Sequence, residues 1–151
     1  MGTNFITDWV IAGARQDERF ELVAVCSRTQ ERADEFAAKH HIPYTFTSLE
    51  EMASSPLIDA VYIASPNFMH AGQSILCMNH GKHVLCEKPL ASNAKEARAM
   101  IAASEANGVA LMEAMKPTLT PNFKALMAAL PKAGTLRRYF ASYCQYSSRY
   151  D

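Results

Sequence analysis

Charge of one sign is not in excess in this chain: Lys+Arg and Asp+Glu number 15 each in 151 residues, for a formal net charge of +0. A neutral balance offers no electrostatic hold on nucleic acid or an anionic membrane, and neither partner is expected. Long hydrophobic runs are also missing, since no window reaches the ~18 apolar residues of a spanning helix. The start, Met1-Gly2-Thr3-Asn4, has no basic stretch followed by an apolar one, so no signal peptide is expected. No cysteine pair has C-x-x-C spacing: Cys26, Cys77, Cys86 and Cys144 stand apart, three of them inside apolar stretches as buried free thiols do. That usage fits a reducing, cytoplasmic setting.

What is there is an ordinary globular composition, 49% apolar and 20% charged, at the length of about one domain. Short apolar segments alternate with longer amphipathic ones. Phe20 to Cys26 reads as a buried strand, and Thr29 caps a helix over 30–40 that puts Ala33, Phe36 and Ala37 on one face. Tyr44 to Thr47 is a short strand, and Ser48 caps the next helix. Asp59 to Ala64 is nearly continuous apolar sequence, the mark of a strand covered on both faces. Phe68 to Asn79 has helical periodicity, His83 to Cys86 is a strand, Ser92 caps a helix over 93–107, and Val109 to Met112 is a strand.

Strand and helix in alternation predict an α/β fold: a Rossmann-like, doubly wound parallel sheet with right-handed crossovers. A complete unit needs a strand ahead of Gly2, and the sheet is expected to lack it. Pro117, Pro121 and Pro131 crowd the last part, where 123–130 reads as a helix and Thr135 to Tyr146 as one long strand. The expected division is a dinucleotide-binding domain over 1–116 and, over 117–151, the incomplete start of a second α+β domain.

The chemistry-bearing motifs fall where strands end. Gly2-Thr3-Asn4-Phe5-Ile6 opens the chain before a helical run. A glycine at a strand-to-helix turn lets backbone N–H groups approach a pyrophosphate at the helix start; a plain helix N-cap reads equally from these residues. Ser27-Arg28 ends the first visible strand, where an acidic residue would take a ribose 2′-hydroxyl; an arginine there accepts a 2′-phosphate instead, which favours NADP over NAD. Ser65-Pro66-Asn67, with His70, follows the clearest strand and reads either as a ligand loop or as a proline turn with a helix cap. Glu87-Lys88-Pro89 stops the next strand, where the Lys88 ammonium can hold a substrate hydroxyl during hydride exchange; an exposed, salt-bridged lysine is the alternative. Glu113 and Lys116 close the series, as a salt bridge or as cofactor contacts.

Cys77, His80, His83 and Cys86 are evenly spaced in the manner of metal ligands. The stretch runs from helix through a Gly81 turn into a strand, so no metal site is expected.

Together these motifs resemble the Gfo/Idh/MocA oxidoreductases, the glucose–fructose oxidoreductase and inositol dehydrogenase group. The residues that carry the likeness are Gly2-Thr3-Asn4, Ser27-Arg28, Ala64-Ser65-Pro66-Asn67 with His70, the stretch Gly81 to Ala91, and Glu113-Ala114-Met115-Lys116. The resemblance implies a two-domain NAD(P)-dependent enzyme acting on a sugar, polyol or related small hydroxy compound. It implies Lys88 as the catalytic lysine, with Glu87 and Pro89 beside the nicotinamide. Asn67 and His70 become cofactor contacts, and Glu113 the acid near the nicotinamide ribose. The family's second domain supplies an open-faced sheet, the substrate site and the oligomer contact, so a homo-oligomer through that domain is implied. Its acid–base partner residues have no counterpart before Asp151. The expectation is therefore a chain cut short at both ends, of low stability and little or no turnover, with a non-catalytic dinucleotide-binding module or sensor as the alternative.

Overall fold

The computed structural model of this chain describes residues 1–144. They fold as two units, Met1–Met115 and the segment that begins at Lys116. The first unit alternates helix and strand in the order α1 (Phe5–Ala14), β1 (Ala24–Cys26), α2 (Gln30–His40), β2 (Tyr44–Phe46), α3 (Leu49–Ser54), β3 (Ala60–Ile63), α4 (His70–Asn79), β4 (His83–Cys86), α5 (Ala94–Asn107) and β5 (Leu111–Glu113).

Side-chain caps set where the helices begin. The Asn4 side chain accepts from Ile6 N and Thr7 N, Thr29 from Arg32 N and Ser48 from Glu51 N. At α5 the cap is Asn93 rather than the expected Ser92. The Asn93 side chain accepts from Glu96 N at 2.9 Å, while the Glu96 carboxylate reaches back to Ser92 N at 3.0 Å. That reciprocal pair resembles a capping box and moves the helix start by one residue. Gly108 ends α5 with a left-handed φ of 64°.

Every strand pair is parallel. β1 pairs with β2, with Ala24 opposite Tyr44, and β4 lies between β3 and β5. Met1 and Gly2 bridge the two groups. The Met1 amine donates to the Tyr62 carbonyl at 2.7 Å, Ala64 N donates to the Met1 carbonyl at 2.9 Å, and Gly2 N donates to the Cys26 carbonyl at 3.4 Å. The spatial order is thus β2, β1, Met1–Gly2, β3, β4, β5. Burial of the Met1 amine holds its pKa below the usual value.

Two apolar clusters cover the sheet. One joins Ile11, Val25, Phe36, Ala37 and Ile42; the other joins Cys26, Met52, Ile58, Val61, Met78, Val84 and Met100 among others. Val25 and Cys26, neighbours in one strand, point into different clusters, as alternation in a strand requires. No described helix is long and apolar enough to cross a membrane.

Two strand expectations are corrected. Of the segment 20–26, only Ala24–Cys26 is paired strand. Residues 20–23 line an open cavity instead of a second neighbour. In the second unit, Pro121–Ala129 forms helix α6, capped by Thr120, but residues 135–144 make no strand. Alternating side chains form a strand only where a ladder partner accepts the backbone, and none is present among the described residues. Gln145 and Tyr146, the end of that expected strand, lie outside the described residues.

Candidate functional site

Because all the strands run the same way, the loops after Gly2, β1, β3, β4 and β5 gather at one edge, the carboxyl edge, where open α/β sheets bind ligands. A cavity of about 250 Å³ lies there, lined by Gly2, Thr3, Asn4, Ser27, Arg28, Arg32, Ser65 and Pro66 among others. Seven of the residues expected from the sequence therefore share one space. Arg32, one turn into α2, joins them and was not anticipated. Its signal is an arginine four residues after Arg28, on the first turn of the helix that Thr29 caps.

The glycine turn is sterically exacting. Gly2 has φ +104°, and a Cβ there would lie 2.6 Å from the Ala64 carbonyl oxygen. The Thr7 hydroxyl donates to the Gly2 carbonyl at 3.2 Å, and Asn4 Nδ2 donates to the Ala64 carbonyl at 3.3 Å, so the turn is tied to both α1 and β3. Asn4 Oδ1 takes the amides of Ile6 and Thr7, while those of Thr3, Asn4 and Phe5 have no partner among the described residues. A helix start with unpaired amides is an anion site by construction. The Phe5 side chain is 62% exposed, and neither Phe5 nor Ile6 lines the cavity, so any contribution from these two is through the backbone.

His70 is placed differently from the expected ligand contact. Its ring is fully buried, with Nδ1 at 2.8 Å from the Pro89 carbonyl oxygen and Nε2 at 2.9 Å from that of Ser65. It fastens the loop after β3 to the turn after β4. The Ser65 hydroxyl donates to Gln73 Oε1 at 2.6 Å, which steadies the same loop from α4. Asn67 is exposed at the start of a single 3₁₀ turn, Asn67–Met69, with its side chain outside the cavity.

The Glu87-Lys88-Pro89 turn is held from several sides. Glu87 N continues the ladder to the Ile63 carbonyl at 2.8 Å, and the Tyr62 hydroxyl donates to Glu87 Oε1 at 2.7 Å. Burial, and then the Glu87 carboxylate, push the Tyr62 phenol above its usual pKa, so it stays a donor. Lys88 N donates to Glu87 Oε2 at 3.3 Å, and the Lys88–Pro89 peptide is cis. Glu113 Oε1 accepts from Leu90 N at 2.8 Å, so that carboxylate braces the turn rather than reaching into the cavity. Lys88 itself is exposed. Tyr62 was the other residue missed; a hydroxyl on an otherwise apolar strand is its only trace in the sequence.

The four evenly spaced cysteine and histidine side chains do not converge. Cys77 and Cys86 are buried in the core, His80 Nδ1 lies 2.9 Å from the Leu76 carbonyl, and Ala110 N donates to His83 Nδ1 at 2.9 Å.

A parallel α/β sheet, a glycine turn under a capped helix and two arginines past the next strand define a dinucleotide-binding domain of the Rossmann type. Residues 1–115 match the model of the GFO_IDH_MocA oxidoreductase family, NAD-binding Rossmann fold, and the chain belongs to that family. It is 62% identical over 151 residues to the scyllo-inositol 2-dehydrogenase (NADP(+)) IolU of Bacillus subtilis (strain 168), covering 100% of this chain and 46% of that protein. It is 51% identical over the same length to the uncharacterized oxidoreductase YgjR of Escherichia coli (strain K12). The WlbA dehydrogenase of Bordetella pertussis, solved in complex with NADH and UDP-GlcNAcA, superposes with TM-score 0.80 at 26% identity, over 87% of this chain and 40% of that one. The chain thus spans about half the length of the curated relatives it matches.

Proposed function

We propose that this domain binds NADP(H) at its carboxyl edge, and that the protein carrying it transfers a hydride between that cofactor and a polyol or sugar-derived hydroxy compound. The observation that carries the reading is the convergence of Arg28 and Arg32 on the cavity that also holds the Gly2 turn. Guanidinium groups supply planar, charge-assisted donors that suit a phosphate.

The donor set fits the dinucleotide. The amides at the start of α1 suit the pyrophosphate, and Arg28 and Arg32 suit a 2′-phosphate. The bound nicotinamide would supply or accept the hydride. Lys88 donates a hydrogen bond to the reacting oxygen and holds or passes its proton. Tyr62, His70 and Glu113 keep the lysine turn in place without touching substrate. The polyol class follows the relatives, one of which acts on scyllo-inositol. A reducing cytoplasm suits the buried free thiols Cys26, Cys77 and Cys86. The division at 116 and a homo-oligomer contact beyond it belong to the same reading.

The test is calorimetric titration of the 151-residue chain with NADPH and NADH. NADPH binds more tightly, and Arg28→Ala or Arg32→Ala weakens it about tenfold or more while leaving NADH nearly unchanged, as loss of one charge-assisted contact predicts. Binding of neither nucleotide, or an unchanged preference in both variants, would overturn the reading.

A further inference from the structure

At the opposite end of the sheet position held by Met1 and Gly2 there is a second, larger cavity, of about 560 Å³, between β1 and β3. It belongs to no part of the carboxyl-edge site. Its boundaries are two strand edges. In a parallel ladder, a residue's N–H and carbonyl both face the same neighbour, and successive residues face opposite neighbours. Val23 and Ser27 bond to β2, and Asp59 and Ile63 bond toward β4. Ala24 and Cys26 on one side, and Ala60 and Tyr62 on the other, therefore turn their backbone groups into the gap. Met1 and Gly2 already use three of these groups in parallel-strand fashion. Ala60 is exposed although it sits in a strand.

The side-chain lining comes from both apolar clusters, Ile11 and Phe36 from one and Met52 and Ile58 from the other. A strand in this gap would be covered on both faces. Such strands are continuously apolar and β-branched, not alternating.

We propose that this cavity is a strand-acceptor site: it binds one extended, continuously apolar segment of another polypeptide, parallel to β1 and β3, with the segment's carboxyl end toward Met1. About four residues fit between Met1 and the level of Glu21 and Asp59 at ~3.3 Å per residue. Main-chain hydrogen bonds to two edges supply the affinity, and the apolar lining selects the side chains, as in strand addition generally. The charge-free lining disfavours acidic or basic segments.

The test titrates the 151-residue chain with an N-terminally fluorescein-labelled peptide, Lys-Lys-Val-Ile-Val-Val-Ile-amide, followed by anisotropy and by amide exchange. The expected result is saturable one-to-one binding, with exchange at Ala24, Cys26 and Tyr62 slowed about tenfold or more. A peptide of the same sequence N-methylated at its third and fourth apolar residues does not bind, because successive residues serve the two edges. Equal binding of both peptides, binding without protection of those amides, or occupation of the cavity by a second copy of this chain would each overturn the proposal.

Discussion

His70 Nδ1 stands 2.8 Å from the carbonyl oxygen of Pro89, and its other nitrogen stands 2.9 Å from that of Ser65. One fully buried ring thus joins the loops that follow β3 and β4. Replacing it with alanine strands two buried carbonyls and opens space under the lysine turn. His70→Ala is expected to lower stability by about 2–4 kcal/mol, measured as a shifted urea midpoint. An unchanged midpoint would show that the ring is not a fastener.

Gly2→Ala meets two obstacles at once, a φ of +104° and a Cβ placed 2.6 Å from the Ala64 oxygen. The expected cost is about 1–3 kcal/mol from backbone strain alone. Nucleotide affinity falls as well, since the turn that offers the α1 amides must move. Gly134→Ala is the useful control: it has a positive φ of 71° but nothing within 4 Å of its Cβ, so it tests strain without the clash.

Lys88 is exposed, and no printed bond holds its ammonium. Lys88→Ala is expected to leave the melting temperature and NADPH affinity nearly unchanged. In the protein that carries a complete substrate domain it lowers kcat by about a hundredfold or more, the usual weight of a positioned acid or base. Lys88→Arg keeps the charge but not the compact ammonium, and restores little.

Burial pushes the Cys77 and Cys86 thiols up to about 11 and raises that of Cys26, whereas Cys144 is exposed. The thiolate is the reacting form, so a raised pKa keeps these thiols protonated and slow at neutral pH. Ellman's reagent at pH 7 is expected to modify Cys144 rapidly and the other three only on unfolding. As pH rises toward 11 the slow phase quickens, because thiolate accumulates. Rapid reaction of all four in the native protein would contradict the packing.

The α/β pattern, the helix starts at Thr29 and Ser48 and the edge on which the motifs gather were legible from periodicity and turn residues. What periodicity cannot carry is pairing. The segment 20–26 looked like a full strand, yet only Ala24–Cys26 finds a ladder, and residues 135–144 find none. Side-chain direction was equally hidden. His70 and Glu113 stood at plausible ligand positions, but the histidine turns into the protein and the glutamate turns back onto Leu90 N. Arg32 and Tyr62 were overlooked because their roles depend on neighbours across the sheet edge, Arg28 for one and Glu87 for the other.

The central claim is that the carboxyl-edge cavity holds the dinucleotide, with the Gly2 turn at its pyrophosphate and the lysine turn at its reactive end. Amide chemical-shift mapping of the labelled 151-residue chain during NADPH titration tests it most directly. The account predicts saturable shifts at Gly2, Thr3, Asn4, Phe5, Ser27, Arg28, Ser65 and Lys88. Shifts confined to the lower cavity around Val10 and Leu57, or none at saturating NADPH, would contradict it.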